Sequence, residues 1–150
     1  AWIAYVLKQK LDEPLETEVA VARGQHDGRL RHATDYGGFR RTVVLIKTAE
    51  MLAGHADFFE VLYTSPRSQV AVMVLRDGQE SGDYGTDHPE ADQSVMVLDG
   101  HCRIEIEGLV QTLAPGDFAF VPAGARHRLV GVGEPPCRTL NVYGPAAYPA

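Results

Sequence analysis

The sequence predicts an all-β protein, a barrel or a sandwich, from three observations. Short runs rich in β-branched and aromatic residues recur at intervals of about 8–12 residues beyond residue 57. Turn formers crowd between them: of the 15 glycines and 9 prolines, 17 lie at or after Gly78. One run, His101–Glu107, alternates without a fault, with Cys102, Ile104 and Ile106 on one side and His101, Arg103, Glu105 and Glu107 on the other. That is the period of a strand with one face buried. The spacing argues against alternating strands and helices.

The elements follow in chain order. Trp2, Ile3, Tyr5, Val6 and Leu7 form an apolar cluster that fits a strand or a short helix, and Val19–Ala22 is a second apolar piece. Gly24, Gly28, Gly37 and Gly38 interrupt this region. Residues 1–42 therefore read as an N-terminal arm, too short for a core of its own, and residues 43–150 as the barrel domain. Thr42–Ile46 is a β-branched run and predicts a strand. Thr48–Ala53 fits one or two helical turns, stopped by Gly54. Phe58–Tyr63 predicts a strand, and Gln69–Leu75 is a near-continuous apolar run that fits a strand covered on both faces. Ser94–Leu98 is ended by Asp99-Gly100, the dipeptide of a two-residue hairpin. Gly108 turns the alternating run into Leu109–Leu113. The turn Ala114-Pro115-Gly116-Asp117 leads into Phe118–Val121, and Pro122-Ala123-Gly124 leads into Arg126–Val130. Arg138–Tyr143 closes the series.

Composition excludes several partners. The net charge of −6 argues against nucleic acid, which needs a basic face. Residues 44–150 hold seven basic and fourteen acidic residues, and from Asp77 to Cys102 there are seven acids and no Lys or Arg. That stretch fits a solvated loop face or the surroundings of a cation. Two cysteines, Cys102 and Cys137, make no disulfide framework and predict free buried thiols. No apolar run approaches the roughly 20 residues of a membrane span, and the first residues lack the pattern of a secretory leader, so a cytoplasmic protein with no membrane partner is expected.

The most specific stretch is Gly116-Asp117-Phe118-Ala119-Phe120-Val121-Pro122-Ala123-Gly124-Ala125-Arg126-His127. Gly116 suits a tight turn at positive φ, and Pro122 and Gly124 shape a turn into the next strand. On that strand His127 shares a face with Leu129, opposite Arg126 and Arg128. The stretch resembles the second motif of the cupin family, in which Gly, Pro, Gly and His stand at these spacings; Gly131 stands where the motif ends in Asn. The first cupin motif resembles the residues before Gly100. Aligned on that glycine, Thr86, His88 and Gln93 stand where the family has His, His and Glu. His88-Pro89-Glu90-Ala91-Asp92-Gln93 is similar to a subgroup of small cupins with His-Pro-x-x-Asp-Gln at this place, often labelled by analogy with sugar-phosphate isomerases. Asp57–Met73 resembles the segment before the barrel in that subgroup. The likeness spans roughly residues 43–148.

The resemblance implies a double-stranded β-helix, or jelly-roll barrel, in which residues 86 and 88, two apart on a strand, point inward. It implies a divalent metal, Mn, Fe, Ni or Zn, held by His88, His127 and Gln93. Thr86, Asp92 and Tyr143 are expected to line a ligand; Asp92 and Glu90 could supply the missing charge but better suit solvating or capping their turn, and Tyr143 better suits core filling. Asn141, which alternates with Tyr143 on the last strand, is a further lining residue. Replacing Glu by Gln removes one negative charge and weakens the expected affinity for metal. The resemblance implies dioxygenase, isomerase or epimerase chemistry on a small molecule, with no catalytic residue assigned. A small polar or sugar-like ligand bound without metal is the alternative. A purely structural barrel would need Met96, Phe118 and Phe120 to fill the pocket. Small cupins imply a homodimer, for which the Trp2–Leu7 cluster would suit an arm.

Overall fold

The computed structural model describes residues 57–149 in full and, before them, the backbone of 5–9, 17–22 and 41–46. The chain divides into two compact units, Ala1–His55 and Ala56–Ala150. In the first, β1 (Tyr5–Gln9) pairs antiparallel with β2 (Thr17–Ala22), and β2 pairs in parallel with β3 (Arg41–Ile46). The strand expected at Thr42–Ile46 is thus present, partnered within the first unit. The helical turns expected at Thr48–Ala53 lie outside the described residues, as do Trp2 and Ile3.

The second unit holds eight strands among its described residues: β4 (Phe59–Thr64), β5 (Gln69–Leu75), β6 (Asp92–Asp99), β7 (His101–Ile106), β8 (Leu109–Leu113), β9 (Phe118–Val121), β10 (His127–Val132) and β11 (Cys137–Gly144). They form a five-stranded sheet, β4-β5-β11-β6-β9, and a three-stranded sheet, β10-β7-β8. All pairings in both sheets are antiparallel. No helix occurs among the described residues, and none is long and apolar enough to cross a membrane.

The core follows the strand period. Met73, Leu75, Val95, Val97, Cys102, Ile104, Leu113, Val121, Leu129 and Cys137 are buried together. Burying a side chain of this class contributes about 1.5–3 kcal/mol. Met96, Phe118 and Phe120 point away from that core, with 40%, 56% and 51% of their surface exposed. They alternate with Val95, Val97, Ala119 and Val121 and therefore cannot fill a pocket.

One turn differs from expectation. Asp99-Gly100 does not close a hairpin, because β6 pairs with β11 and β9 while β7 pairs with β10 and β8. The dipeptide instead carries the chain from one sheet to the other. Gly100 takes φ +65°, and a Cβ there would meet the carbonyl oxygens of Pro135 and Pro136. The left-handed backbone that suits a hairpin suits this crossing equally well. The true tight hairpin joins β7 to β8, with Glu107 and Gly108 both at positive φ.

Candidate metal centre

The second motif builds its half of the site as its residues dictate. Gly116 adopts φ +92° and Gly124 φ +77°. Asp117 bonds the turn backbone, its Oδ2 accepting from Ala114 N at 2.8 Å. The chain then enters β10 with His127 buried and Leu129 below it in the core. On the outer side Arg126 and Arg128 lie over the Tyr84 ring, and Arg128 pairs with Glu80 and Glu105 at 3.2 Å each. Gly131 has a structural reason to lack a side chain, since a Cβ would collide with the Arg76 carbonyl.

The first motif is arranged differently from expectation. Residues 86–88 form no strand; they belong to the irregular segment between β5 and β6. Thr86 is exposed rather than aimed inward, since the alternation that would pair it with His88 does not apply outside a strand. His88 is buried and is held by the turn that follows it, in which Ala91 N donates to His88 O. Gln93 enters from β6 and is buried. Asp92 is exposed and caps a turn, accepting from Ala123 N at 2.8 Å. Other acids of the stretch from Asp77 to Cys102 are engaged elsewhere: Asp77 accepts from Gly133 N, Glu80 pairs with Arg128 and Asp99 with Arg138. His101 is exposed, while His26, His32 and His55 lie outside the described residues.

Three groups converge. His88 Nε2 lies 2.9 Å from Gln93 Oε1 and 3.0 Å from His127 Nε2. The opposite ring nitrogens face backbone carbonyls, His88 Nδ1 at 2.9 Å from Ala91 O and His127 Nδ1 at 3.0 Å from Ala125 O. A carbonyl oxygen only accepts, so both Nδ1 atoms carry the hydrogen. In neutral imidazoles both Nε2 atoms are then bare lone pairs. Gln93 turns its NH2 the other way, with Nε2 donating to Asn141 Oδ1 at 3.0 Å and to the Tyr143 hydroxyl at 3.2 Å. Two imidazole lone pairs and a carbonyl oxygen thus face one another with no hydrogen among them.

Such a cluster is electrostatically unfavourable unless a cation, a metal ion or a proton shared by the two imidazoles, lies between its members. The donor set fits a divalent metal. Donors at right angles about a metal, with bonds of about 2.1 Å, stand about 3.0 Å apart, as the two separations here do. A histidine that ligates through one nitrogen and donates the other to a backbone carbonyl is the usual second-layer arrangement. Among the described residues no cluster of three His, Cys, Asp or Glu is present, so any site here depends on the amide of Gln93.

Burial, the largest cause, holds His127 below its ordinary pKa, and the nearby His88 adds to this; the Ala125 carbonyl and the Asp87 carboxylate act in the opposite sense. Tyr143 packs edge-on against His88 at 5.2 Å and against Tyr148 at 5.2 Å. Its phenol is pushed up first by burial and then by Tyr148 and Asp87, so it stays protonated. Tyr148 is pushed up for the same first reason. Gln69 secures it, donating through Nε2 to Tyr148 O at 2.8 Å and accepting from Tyr148 N at 3.0 Å. Asp87, Tyr148 and Thr139 had no motif to mark them. Asp87 is signalled only by standing next to His88 and Thr139 only by its place on the alternating last strand; nothing in the sequence signals Tyr148.

The family described as Cupin domain matches residues 71–143, which span β5 to β11. No curated protein matches the chain. Among solved structures, the Bacillus halodurans protein BH2720 is 22% identical with a TM-score of 0.60, covering 65% of this chain and 76% of its own. KdgF from a Halomonas species is 23% identical, with a TM-score of 0.54 and coverage of 59% and 77%. A Klebsiella pneumoniae protein described as having a double-stranded β-helix domain is 26% identical, with a TM-score of 0.53 and coverage of 59% and 77%. Residues 71–143, the part of the barrel that carries these two histidines, belong to the cupin domain family.

Proposed function

We propose that the barrel is a metal-dependent enzyme acting on a small molecule, of the dioxygenase or sugar isomerase/epimerase class. The observation that supports this is the facing of His88 Nε2, His127 Nε2 and Gln93 Oε1 without a hydrogen among them. His88, His127 and Gln93 would hold a divalent Mn, Fe, Ni or Zn, and such an ion acts as a Lewis acid on a substrate oxygen. The two backbone carbonyls keep both Nε2 lone pairs aimed inward. Three protein donors leave positions open for a substrate. Tyr143 stays protonated and so orients a ligand by hydrogen bonding rather than accepting a proton as a phenolate. Asp87 is the carboxylate whose charge is felt by His127, Tyr143 and Tyr148.

Elemental analysis of the purified protein is the test. Near-stoichiometric Mn, Fe, Ni or Zn, lost in His127→Ala, is the expected result. No metal, and none regained on soaking, favours a ligand-binding barrel instead. We further propose a homodimer in the cytoplasm. The exposed outer-face residues Met96, Phe118 and Phe120 support the first and the free buried thiols Cys102 and Cys137 support the second. A monomer by light scattering at micromolar concentration would overturn the dimer.

A further inference from the structure

Gln93 is an amide, and an amide has two ends. Its carbonyl end can face a cation; its NH2 end would instead donate to the bare Nε2 of His88 and close the site. The choice is made behind Gln93. Tyr143 does not make it, because a hydroxyl both donates and accepts and so serves either end. Asn141 does. It is fully buried, and its Nδ2 donates to Thr139 Oγ1 at 3.0 Å. With that NH2 engaged, its Oδ1 is what faces Gln93, and only the NH2 end of Gln93 suits an oxygen at 3.0 Å. The opposite orientation would require Thr139, Asn141 and Gln93 to reverse together, with the Thr139 hydroxyl as donor.

We infer that Asn141, in the orientation in which its Nδ2 donates to Thr139, is the positioning residue that turns the Gln93 carbonyl oxygen toward His88 and His127 and so creates the third donor of the site. The inference rests on the cation reading proposed above. Asn141 does not touch the ion; it acts through Gln93 alone.

Titration of the full chain with Co(II) alone, followed by visible absorption, tests it. Asn141→Leu keeps the volume and removes the acceptor, and binding should weaken by about tenfold or more, the usual effect of losing an orienting partner. Asn141→Asp keeps the acceptor in the same place and should bind at least as tightly as the natural chain. That rescue separates orientation from shape. Unchanged binding in the Leu variant overturns the inference, as does equal weakening in both variants when circular dichroism shows both folded. Should the Leu variant fail to fold, Thr139→Val releases Asn141 with little change of shape; weaker binding supports the inference and unchanged binding overturns it. A natural chain that takes up no Co(II) overturns the cation reading itself, a separable outcome.

Discussion

The interior of the barrel has two ends, built by the same strands. Inward positions on β6 run Val97, Val95, Gln93; on β10 they run Leu129, His127; on β5, Leu75, Met73, Ala71, Gln69. The register aligns the change: Cys137 opposes Leu75, whereas Tyr143 opposes both Gln69 and Gln93. One end is therefore apolar and closed, the other polar and hydrogen-bonded, with no change of strand or sheet between them. Stability and chemistry are separated along the strand axis, and each strand contributes to both. Changes at the apolar end should act on folding, and changes at the polar end on what the site holds.

The largest effect should come from the apolar end. Leu75 is fully buried opposite Cys137, and Leu75→Ala should destabilise the protein by about 2–5 kcal/mol. Denaturant unfolding measures it, and metal uptake per folded molecule should be unchanged. A parallel loss of uptake in the folded fraction would break the separation. Gly131→Asn, which restores the residue of the second motif, should destabilise by about 1–3 kcal/mol through the clash with Arg76 O. If it is neutral, the close approach there relaxes more easily than its geometry indicates.

At the polar end Gln93→Glu supplies the charge that the site lacks. With metal present, affinity should rise on the order of tenfold or more, as ligand charge does in other cation sites. Without metal the buried carboxylate should lower stability. Affinity by competition with a chelator, and melting with and without metal, should therefore move in opposite directions. Parallel movement would place Gln93 outside the metal-holding set.

This separation explains what the sequence showed and what it hid. The apolar end follows ordinary alternation, so the burial of Cys102 and Ile104 was legible, as was the exposure of His101 and Arg103. The second motif likewise located His127, because turn glycines and a proline demand definite backbone geometry. The polar end reverses the rule. On β11 the buried set is Cys137, Thr139, Asn141 and Tyr143, while Leu140 and Val142 face outward and are only partly covered. Hydropathy alone assigns that strand the wrong way round, and only alternation with Asn141 and Tyr143 puts Thr139 on the face of the site. Thr86 misled for a different reason: spacing of two implies one face only on a strand, and residues 86–88 are irregular. Asp99-Gly100 misled because the same left-handed glycine serves a hairpin and a crossing between sheets.

The smallest effect should be that of acid on the metal-free protein. His127 is held below its ordinary pKa of 6.5, chiefly by burial. A histidine with a lowered folded pKa takes up protons more readily when unfolded, so unfolding is favoured as acid is added. The contribution is fully present above 6.5 and is lost as pH falls through the lower folded value. Melting in the presence of a chelator should therefore drop between pH 7.5 and the acid side of that window. His127→Leu should flatten the drop, because the imidazole with the lowered pKa is gone, and leave the core below it intact. If the drop persists undiminished in the variant, acid acts elsewhere, and the polar end is less sensitive to charge than its facing lone pairs imply.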